Sequence, residues 1–458
     1  MEKSNILFLS IDAFIANRCY GKNKTSKTPN IDSLIKNGVY FDKAFSSSDG
    51  TPVSFASLFT GSYPFRACSR KGRWHFKLQD DVVDYVTLLK KHGYHAYATI
   101  PEMWIIEEFF HLFENSDKIY PLFGYRLYDG LGQQIVDRLE SQKMEEPWFY
   151  FVHIMDAHKP ITFPQEFDNE EFGEDDYDKM ISSIDAWIGK ILQKVNMKTT
   201  IVVLTADHGD YLRIITHQGK RLSFEYKSYS KFALKISNLT PKFLYPLKNK
   251  LFLIIRDILT KRKIAKLNKK LTLYEKRCLF HARSFSERYL YDELFHIPLI
   301  FAGNGIERKN MVIEQQVRNV DIFPTLFDII QITNDKEIHG RSLNPILQGN
   351  KLPDMPIYLE SGFNLKNSSK AVMGIRTFKY KYFRSMYNST KNIHLYNLES
   401  DQLEENNIAS SQHEVVENME KILSNIRDKS CDKHSEEPQE ESDVDERVKE
   451  QLKKLGYI

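Results

Sequence analysis

Short, unbroken apolar runs alternate along this chain with longer stretches in which apolar residues recur every three or four positions. Runs of the first kind, at Ile6–Ile11, Ala96–Ile100, Trp148–His153, Thr200–Thr205 and Ile297–Phe301, read as strands buried on both faces. Stretches of the second kind predict helices over Ile31–Lys36, Asp84–Lys91, Tyr177–Val195 and Val320–Ile330. The alternation of the two predicts an α/β fold with a mostly parallel central sheet. Beyond about residue 355 the pattern tightens, and Ala371–Ile375 and Lys379–Arg384 predict a smaller C-terminal antiparallel unit.

Charge changes this picture in two places. From Tyr211 to Phe280 there are 18 Lys and Arg against three acids, Glu225, Asp257 and Glu275, an excess of +15 hidden in a whole-chain net charge of +3. Apolar residues at Leu244, Leu247, Leu251, Ile254, Ile255, Ile258 and Leu259 have helical spacing, so 211–285 reads as a basic, amphipathic helical insertion. As a solvated lid it needs no ligand, while its charge also suits peripheral contact with an anionic lipid headgroup, glycan or membrane surface. Nucleic acid is not expected, because no recognition module accompanies the charge. From Asp432 to Glu446 eight acids stand against Lys433, a solvated linker leading to a short terminal helix at Val448–Leu455. The domain plan is therefore a catalytic α/β domain over 1–350 interrupted by 211–285, a smaller α+β unit over 351–427, and an acidic linker with a terminal helix over 428–458.

Length and composition are compatible with this plan. A chain of 458 residues, 41% hydrophobic and 27% charged, can bury one large core and carry a smaller unit. The four cysteines, Cys19, Cys68, Cys278 and Cys431, form no CxxC pair, which favours reduced thiols. The first apolar run is too short to span a bilayer and has no cleavage site after it, so a cytoplasmic location is expected, with no signal peptide or transmembrane helix.

In open α/β sheets ligands gather beyond the carboxyl ends of the strands. The first strand ends in Asp12, the third in His153 through Pro160 and the fourth in Ala206-Asp207-His208-Gly209-Asp210. Asp12, Asp207 and His208 are candidates to converge on one metal. The loop Ser46–Ser54 offers Thr51, with Gly50 permitting a tight turn and Pro52 suiting a helix start. There Thr51 meets the free N–H groups and dipole that favour an anion. A hydroxyl held by a divalent cation loses its proton more readily and becomes a usable nucleophile. Each residue also has a plainer reading as a turn or cap.

Taken together, these blocks resemble the sulfatase family of the alkaline-phosphatase superfamily over nearly the whole chain. Ser10–Phe14 with Arg18–Gly21 is similar to the family's opening metal motif, and Thr28–Leu34 followed by Gly38–Phe41 to its second block. Thr51–Ser54 through Thr60-Gly61 resembles the nucleophile loop. His153–Pro160, Thr205–Gly209, Leu290–Glu293, Val320–Thr325 and Leu455–Ile458 resemble later blocks. The resemblance implies a three-layer α/β/α sandwich and an ester hydrolase or transferase with one divalent metal held by Asp12, Thr51, Asp207 and His208. It implies Thr51 as nucleophile and His158 as a second catalytic group. His153 and Asp156 are weaker candidates for substrate contact, and the insertion leaves His217, His281, Arg283 and Arg288 open for the same role.

Three departures shape the functional expectation. Thr51 cannot be converted to formylglycine, the aldehyde on which sulfatases depend. The family arginine four residues on is Phe55, and the paired acids of the first strand are reduced to Ile11-Asp12. A covalent Thr51 ester points to a phosphoester or phospho-substituent on a lipid headgroup or glycan. A sulfuric ester hydrolase and a catalytically silent anion-binding scaffold are the rival readings. The mixed ligand set suits Mn²⁺ or Zn²⁺ better than Ca²⁺, with Mg²⁺ also open.

Overall fold

The apolar runs become the middle of an eight-stranded sheet in the computed structural model, which describes residues 3–71, 75–122, 124–141, 143–223, 270–280, 289–333, 337–361 and 370–428. In chain order the strands are β1 (Asn5–Ile11), β2 (Gly38–Phe41), β3 (His95–Pro101), β4 (Ile119–Tyr120), β5 (Trp148–Ile154), β6 (Thr200–Thr205), β7 (Leu299–Gly303) and β8 (Met311–Ile313). Their spatial order is β8-β2-β7-β6-β1-β5-β3-β4. Only β7 runs antiparallel to its neighbours, β6 and β2; every other pairing is parallel. The central strands β1, β5 and β6 bury every residue, which is why their sequence shows no in-out alternation.

Six helices complete two outer layers: α1 (Pro29–Lys36), α2 (Thr51–Thr60), α3 (Tyr85–Lys91), α4 (Leu131–Glu140), α5 (Asp176–Leu192) and α6 (Ile322–Ile329). α5 packs on α1 and α4, whereas α2 packs on α3 and α6. The Asp185 carboxylate of α5 accepts from the backbone N–H groups of Asn30 and Ile31 at 3.2 and 2.7 Å, satisfying donors at the start of α1 that the helix itself cannot use. The α2 and α6 layer meets the sheet through aromatic rings. Phe8 stacks on Phe323 with centroids 5.8 Å apart, and Phe59 meets Phe151 at 5.0 Å and Phe323 at 5.8 Å. Such rings bury large areas and fix their neighbours' angles, so the face that carries Asp12 and His153 is stiffly backed.

A second sheet follows, with β9 (Ile357–Ser361), β10 (Val372–Arg376), β11 (Tyr380–Ser385) and β12 (His394–Asn397) paired antiparallel in sequence order. Helix α7 (His413–Asp428) packs on it through Met419 and Leu423. By contacts the chain divides into two compact units, one of Met1–Asp210, Phe285–Asn397 and Ile408–Ile458, the other of Tyr211–Ser284 and Leu398–Asn407. Within the second, a hairpin of Ile214–His217 and Lys220–Ser223 and the helix Leu273–Phe280 share a small core of Ile215, Leu271, Cys278 and Leu279. Arg277 donates to the carbonyls of Leu403 and Glu404, and the Tyr274 N–H to Glu405 Oε1 at 2.8 Å.

Three expectations need correcting. Ile297–Phe301 is two strands, because Pro298 lacks the N–H that a ladder requires: His296–Ile297 pairs with Ala44–Phe45, and the main sheet takes up the chain only at Leu299. Insertion 211–285 opens as a β-hairpin rather than a helix, around Gln218 and Gly219, both at positive φ, the turn that such hairpins favour. Helix α6 starts two residues late, behind a 3₁₀ turn at Asn319–Asp321. The helical spacing at Leu244–Leu267, the acidic run 432–446 and the terminal segment Val448–Leu455 lie outside the described residues. Among the described residues no helix is long and apolar enough to cross a membrane.

Burial pushes the His339 and His394 imidazoles down to about 4, helped at His339 by the charges of Arg318 and Arg66. Unfolded, each takes its proton near pH 6.5. The unfolded chain therefore binds more protons between about pH 6.5 and 4, and stability falls as pH drops through that window. His339→Phe should show a shallower loss of Tm than the wild type between pH 7.5 and 4.5; equal slopes for the two proteins would refute this.

Candidate functional site

Adjacency of β1, β5 and β6 brings three carboxyl ends together, and the candidate site stands on them. Asp12 follows β1 directly, its N–H bonded to Ile154 O at 2.9 Å, and its carboxyl is fully buried. Asp207 and His208 follow β6 and are buried as deeply. Ligand atoms of Asp12, Asp207 and His208 lie within 4.8 Å of one another. Thr51, the first residue of α2, turns its hydroxyl to the same point, 3.2 Å from Asp12 Oδ2 and 3.3 Å from His208 Nε2. The four residues expected at the metal are thus brought together.

Hydrogen bonding leaves one oxygen of each carboxylate unused. Asp207 Oδ1 accepts from the N–H groups of Ala13 and His208 at 3.3 and 2.9 Å, while among the described residues its Oδ2 has no hydrogen-bond donor. Asp12 Oδ1 has none either. The His208 ring spends Nδ1 on the Gly209 carbonyl at 2.8 Å, which leaves Nε2 with its lone pair toward Thr51 and Asp207 Oδ2. Two buried carboxylates with orphaned oxygens beside one imidazole fit a divalent cation, since such charges are otherwise too costly to bury. Burial alone would raise the Asp12 carboxyl; the imidazoles of His153, His158 and His208 instead hold it well below the usual carboxylate range.

The loop that carries Thr51 is fastened from three sides. Ser54 donates to the Asp207 carbonyl at 2.5 Å, Ser47 to Asn319 Oδ1 at 2.8 Å, and Ser361 at the end of β9 to Asp49 Oδ2 at 2.6 Å. The Glu360 N–H also reaches Ser47 O at 3.0 Å, so the second sheet braces this loop. Gly50 has φ −142°, extended backbone open to any residue, and not the tight turn expected of it. Pro52 is the second residue of the helix.

Other candidates are placed less uniformly. His153 is fully buried, with Nδ1 3.2 Å from Ser10 Oγ, Nε2 3.7 Å from Asp12 Oδ2 and its ring 4.8 Å from Phe55, edge to face. Half-buried His158 donates Nδ1 to Lys159 O at 2.7 Å and bears on the charge of Asp12. Asp156 is engaged elsewhere: it accepts from Leu127 N–H at 3.1 Å, and burial pushes its carboxyl up to about 6 despite the Arg126 guanidinium. His217 belongs to the second compact unit, where its Nδ1 lies 2.9 Å from Glu275 Oε1. His281, Arg283 and Arg288 lie outside the described residues.

Sequence reasoning missed three supports. Arg126 donates to the carbonyls of Met155 and Pro160, and so clamps the loop that carries His158. Tyr177 and Ala13 shape the turn after Asp12. Arg126 and Tyr177 stand in no motif, Ala13 offers only a backbone turn within the Ser10–Phe14 block, and Tyr177 shows only helical apolar spacing; a buried phenol, which needs a partner, was the available signal.

Comparison with known proteins follows this geometry. A family model described as Sulfatase matches residues 4–332, and one described as N-sulphoglucosamine sulphohydrolase, C-terminal, matches 281–429. Arylsulfatase K of Gallus gallus is 23% identical over 93% of this chain and 82% of its own length. N-acetylglucosamine-6-O-sulfatase of Bacteroides thetaiotaomicron is 23% identical over 94% and 88%. Among solved structures, the phosphonate monoester hydrolase of Agrobacterium radiobacter superposes with a TM-score of 0.65 at 15% identity, covering 94% of this chain and 96% of that one. A 2-O GAG sulfatase gives 0.63 at 17% identity over 94% and 93%. At these identities the structures speak for the fold alone.

Gly209 lets the chain after His208 pass close to its neighbour: a Cβ there would fall 2.2 Å from Glu293 O, while Gly209 N–H bonds Leu294 O at 2.9 Å. Gly209→Ala should cost about 1–3 kcal/mol in urea unfolding and weaken any divalent-cation binding by displacing His208. Wild-type stability and affinity in the variant would show that the contact is slack.

Proposed function

Since the chain belongs to the sulfatase family, a family of anionic-ester hydrolases that generally bind a divalent metal, we propose that it cleaves a monoanionic phosphoester with Thr51 as a covalent nucleophile. The observation that carries this reading is the Thr51 hydroxyl, 3.2 Å from Asp12 Oδ2 and 3.3 Å from His208 Nε2, at the first turn of α2. A divalent cation held by Asp12, Asp207 and His208 would polarise the ester and lower the pKa of the Thr51 hydroxyl. Thr51 Oγ1 attacks phosphorus as its proton is lost to solvent. The P–O bond to the leaving alcohol breaks, and His158 gives that oxygen a proton. Water or an acceptor hydroxyl then attacks the phospho-Thr51 ester and gives its proton to His158; the P–O bond to Thr51 breaks, and Thr51 Oγ1 takes a proton back from solvent.

A threonine ester has no hydrate whose collapse expels sulfate, and this favours phosphorus over sulfur. Loss of the arginine at position 55 favours a single negative charge on the ester, as in a diester. Phe55 lies among Phe59, Phe109 and Phe151 with ring centroids 5.5–5.8 Å away, a setting that would strand a guanidinium. The +15 excess over 211–280 supports an anionic lipid or glycan carrier and peripheral contact with a cytoplasmic membrane face. A second reading, a sulfuric ester hydrolase, is favoured by the names of the curated relatives, an arylsulfatase and an N-acetylglucosamine-6-O-sulfatase.

Incubation with bis-p-nitrophenyl phosphate, p-nitrophenyl phosphate and p-nitrophenyl sulfate in Mn²⁺ separates these readings. The diester should turn over fastest, and Thr51→Ala should lower kcat/KM by about 10³-fold or more, with Thr51→Ser keeping part of the activity. Preference for the sulfate ester would move the assignment to the second reading. Full activity in Thr51→Ala would remove the nucleophile, and Mn²⁺ binding without turnover would mark a silent scaffold.

A further inference from the structure

Ala13, the residue after Asp12, has φ +54°, a left-handed conformation that side chains other than glycine adopt only when something holds them there. Two bonds hold it. Its N–H donates to Asp207 Oδ1 at 3.3 Å, and its carbonyl accepts from the Tyr177 hydroxyl at 3.0 Å. The same phenol oxygen accepts from Ile15 N–H at 3.1 Å, so one atom spans both sides of the turn. Tyr177 is 1% exposed and stands in the first turn of α5. Arg18 pins that turn, donating to Asp178 Oδ2 at 2.8 Å and Asp175 Oδ2 at 3.3 Å, on either side of Tyr177 in sequence.

We propose that Tyr177 is a positioning residue for the metal centre, its hydroxyl holding Ala13 in the left-handed turn that aims both Asp12 and Asp207. The inference rests on the reading of Asp12, Asp207 and His208 as a metal site. The turn sets the direction in which the Asp12 side chain leaves the sheet. It also brings the Ala13 N–H onto Asp207 Oδ1, which leaves Oδ2 turned toward His208 and Asp12. Without the hydroxyl, Ala13 relaxes toward negative φ, its N–H leaves Asp207, and both carboxylates lose their aim. Burial pushes the phenol well above its usual titration range, which favours the protonated, donating form. A glycine at position 13 would visit the same conformation at little steric cost and would not need the phenol.

This logic gives a paired test by isothermal titration with Mn²⁺. Tyr177→Phe, which removes a single oxygen, should weaken Mn²⁺ binding about 10- to 100-fold, the range seen when groups that orient ligands are removed. Adding Ala13→Gly to Tyr177→Phe should recover most of that loss, and Ala13→Gly alone should bind as the wild type does. A residue needed only for packing would not be rescued by a glycine 164 positions away in sequence. Wild-type affinity in Tyr177→Phe, or a loss that Ala13→Gly leaves untouched, overturns the proposal while sparing the metal site. Should Tyr177→Phe fail to fold, the double variant decides: folded with wild-type affinity it supports the proposal, and folded with weak affinity it overturns it. A wild type that takes up no Mn²⁺, or an Asp12→Asn variant that binds as well as the wild type, ends the metal-site reading and the proposal with it.

Discussion

Two carboxylates sealed from water at the ends of neighbouring parallel strands are the constraint around which this molecule is organised. Asp12 and Asp207 are 0% and 3% exposed, and each keeps one oxygen without a hydrogen-bond donor. Like charges buried this close repel unless a cation or proton stands between them. Among the described residues imidazoles surround the pair, and none of the described lysines or arginines bonds to either acid. The surrounding structure then has a common purpose. The aromatic layer stiffens the sheet, α2 brings a hydroxyl and its helix start, and the second sheet braces the loop between them.

The position of this pair follows from topology. Parallel neighbours put their carboxyl ends on one edge, and β1 lies between β5 and β6, so groups distant in sequence meet without a long loop. Departures from the family pattern fall into place on the same frame. Where a charged clamp would stand four residues after Thr51, Phe55 joins the aromatic layer and touches His153. Core and site are continuous there: the ring that lines the site is also packed as core, so a charge cannot be restored by exchanging one side chain.

Much of this was legible in the sequence because burial on both faces leaves a plain signature. β1, β5 and β6 were bounded to within a residue, and Asp84 and Asp175 cap α3 and α5 through the N–H groups of Thr87 and Asp178. The closeness of Asp12, Asp207 and His208 was legible because strand ends advertise themselves as polar residues after apolar runs. What escaped depended on tertiary partners. Pro298 divides a run that hydropathy reads as one strand. The edge strand β8, of three residues, carries too little pattern to find, and α7 was passed over behind the shorter strands. Arg126, Tyr177 and Ala13 act through carbonyls and turn geometry, and neither residue type nor spacing announces a carbonyl acceptor 29 positions away.

The second compact unit has a consequence for biosynthesis. Its helix Leu273–Phe280 is completed by a strip of chain made much later, since Arg277 finds its acceptor at Leu403, 126 positions on. A nascent chain emerging from the ribosome carries this helix without its carbonyl partners while β7 through β12 are still being translated. Contacts so remote in sequence close late, after the loop entropy between them has been overcome. The unit is therefore among the last parts of the protein to mature, and a polypeptide truncated before Leu398 leaves the Arg277 guanidinium with its native acceptors missing.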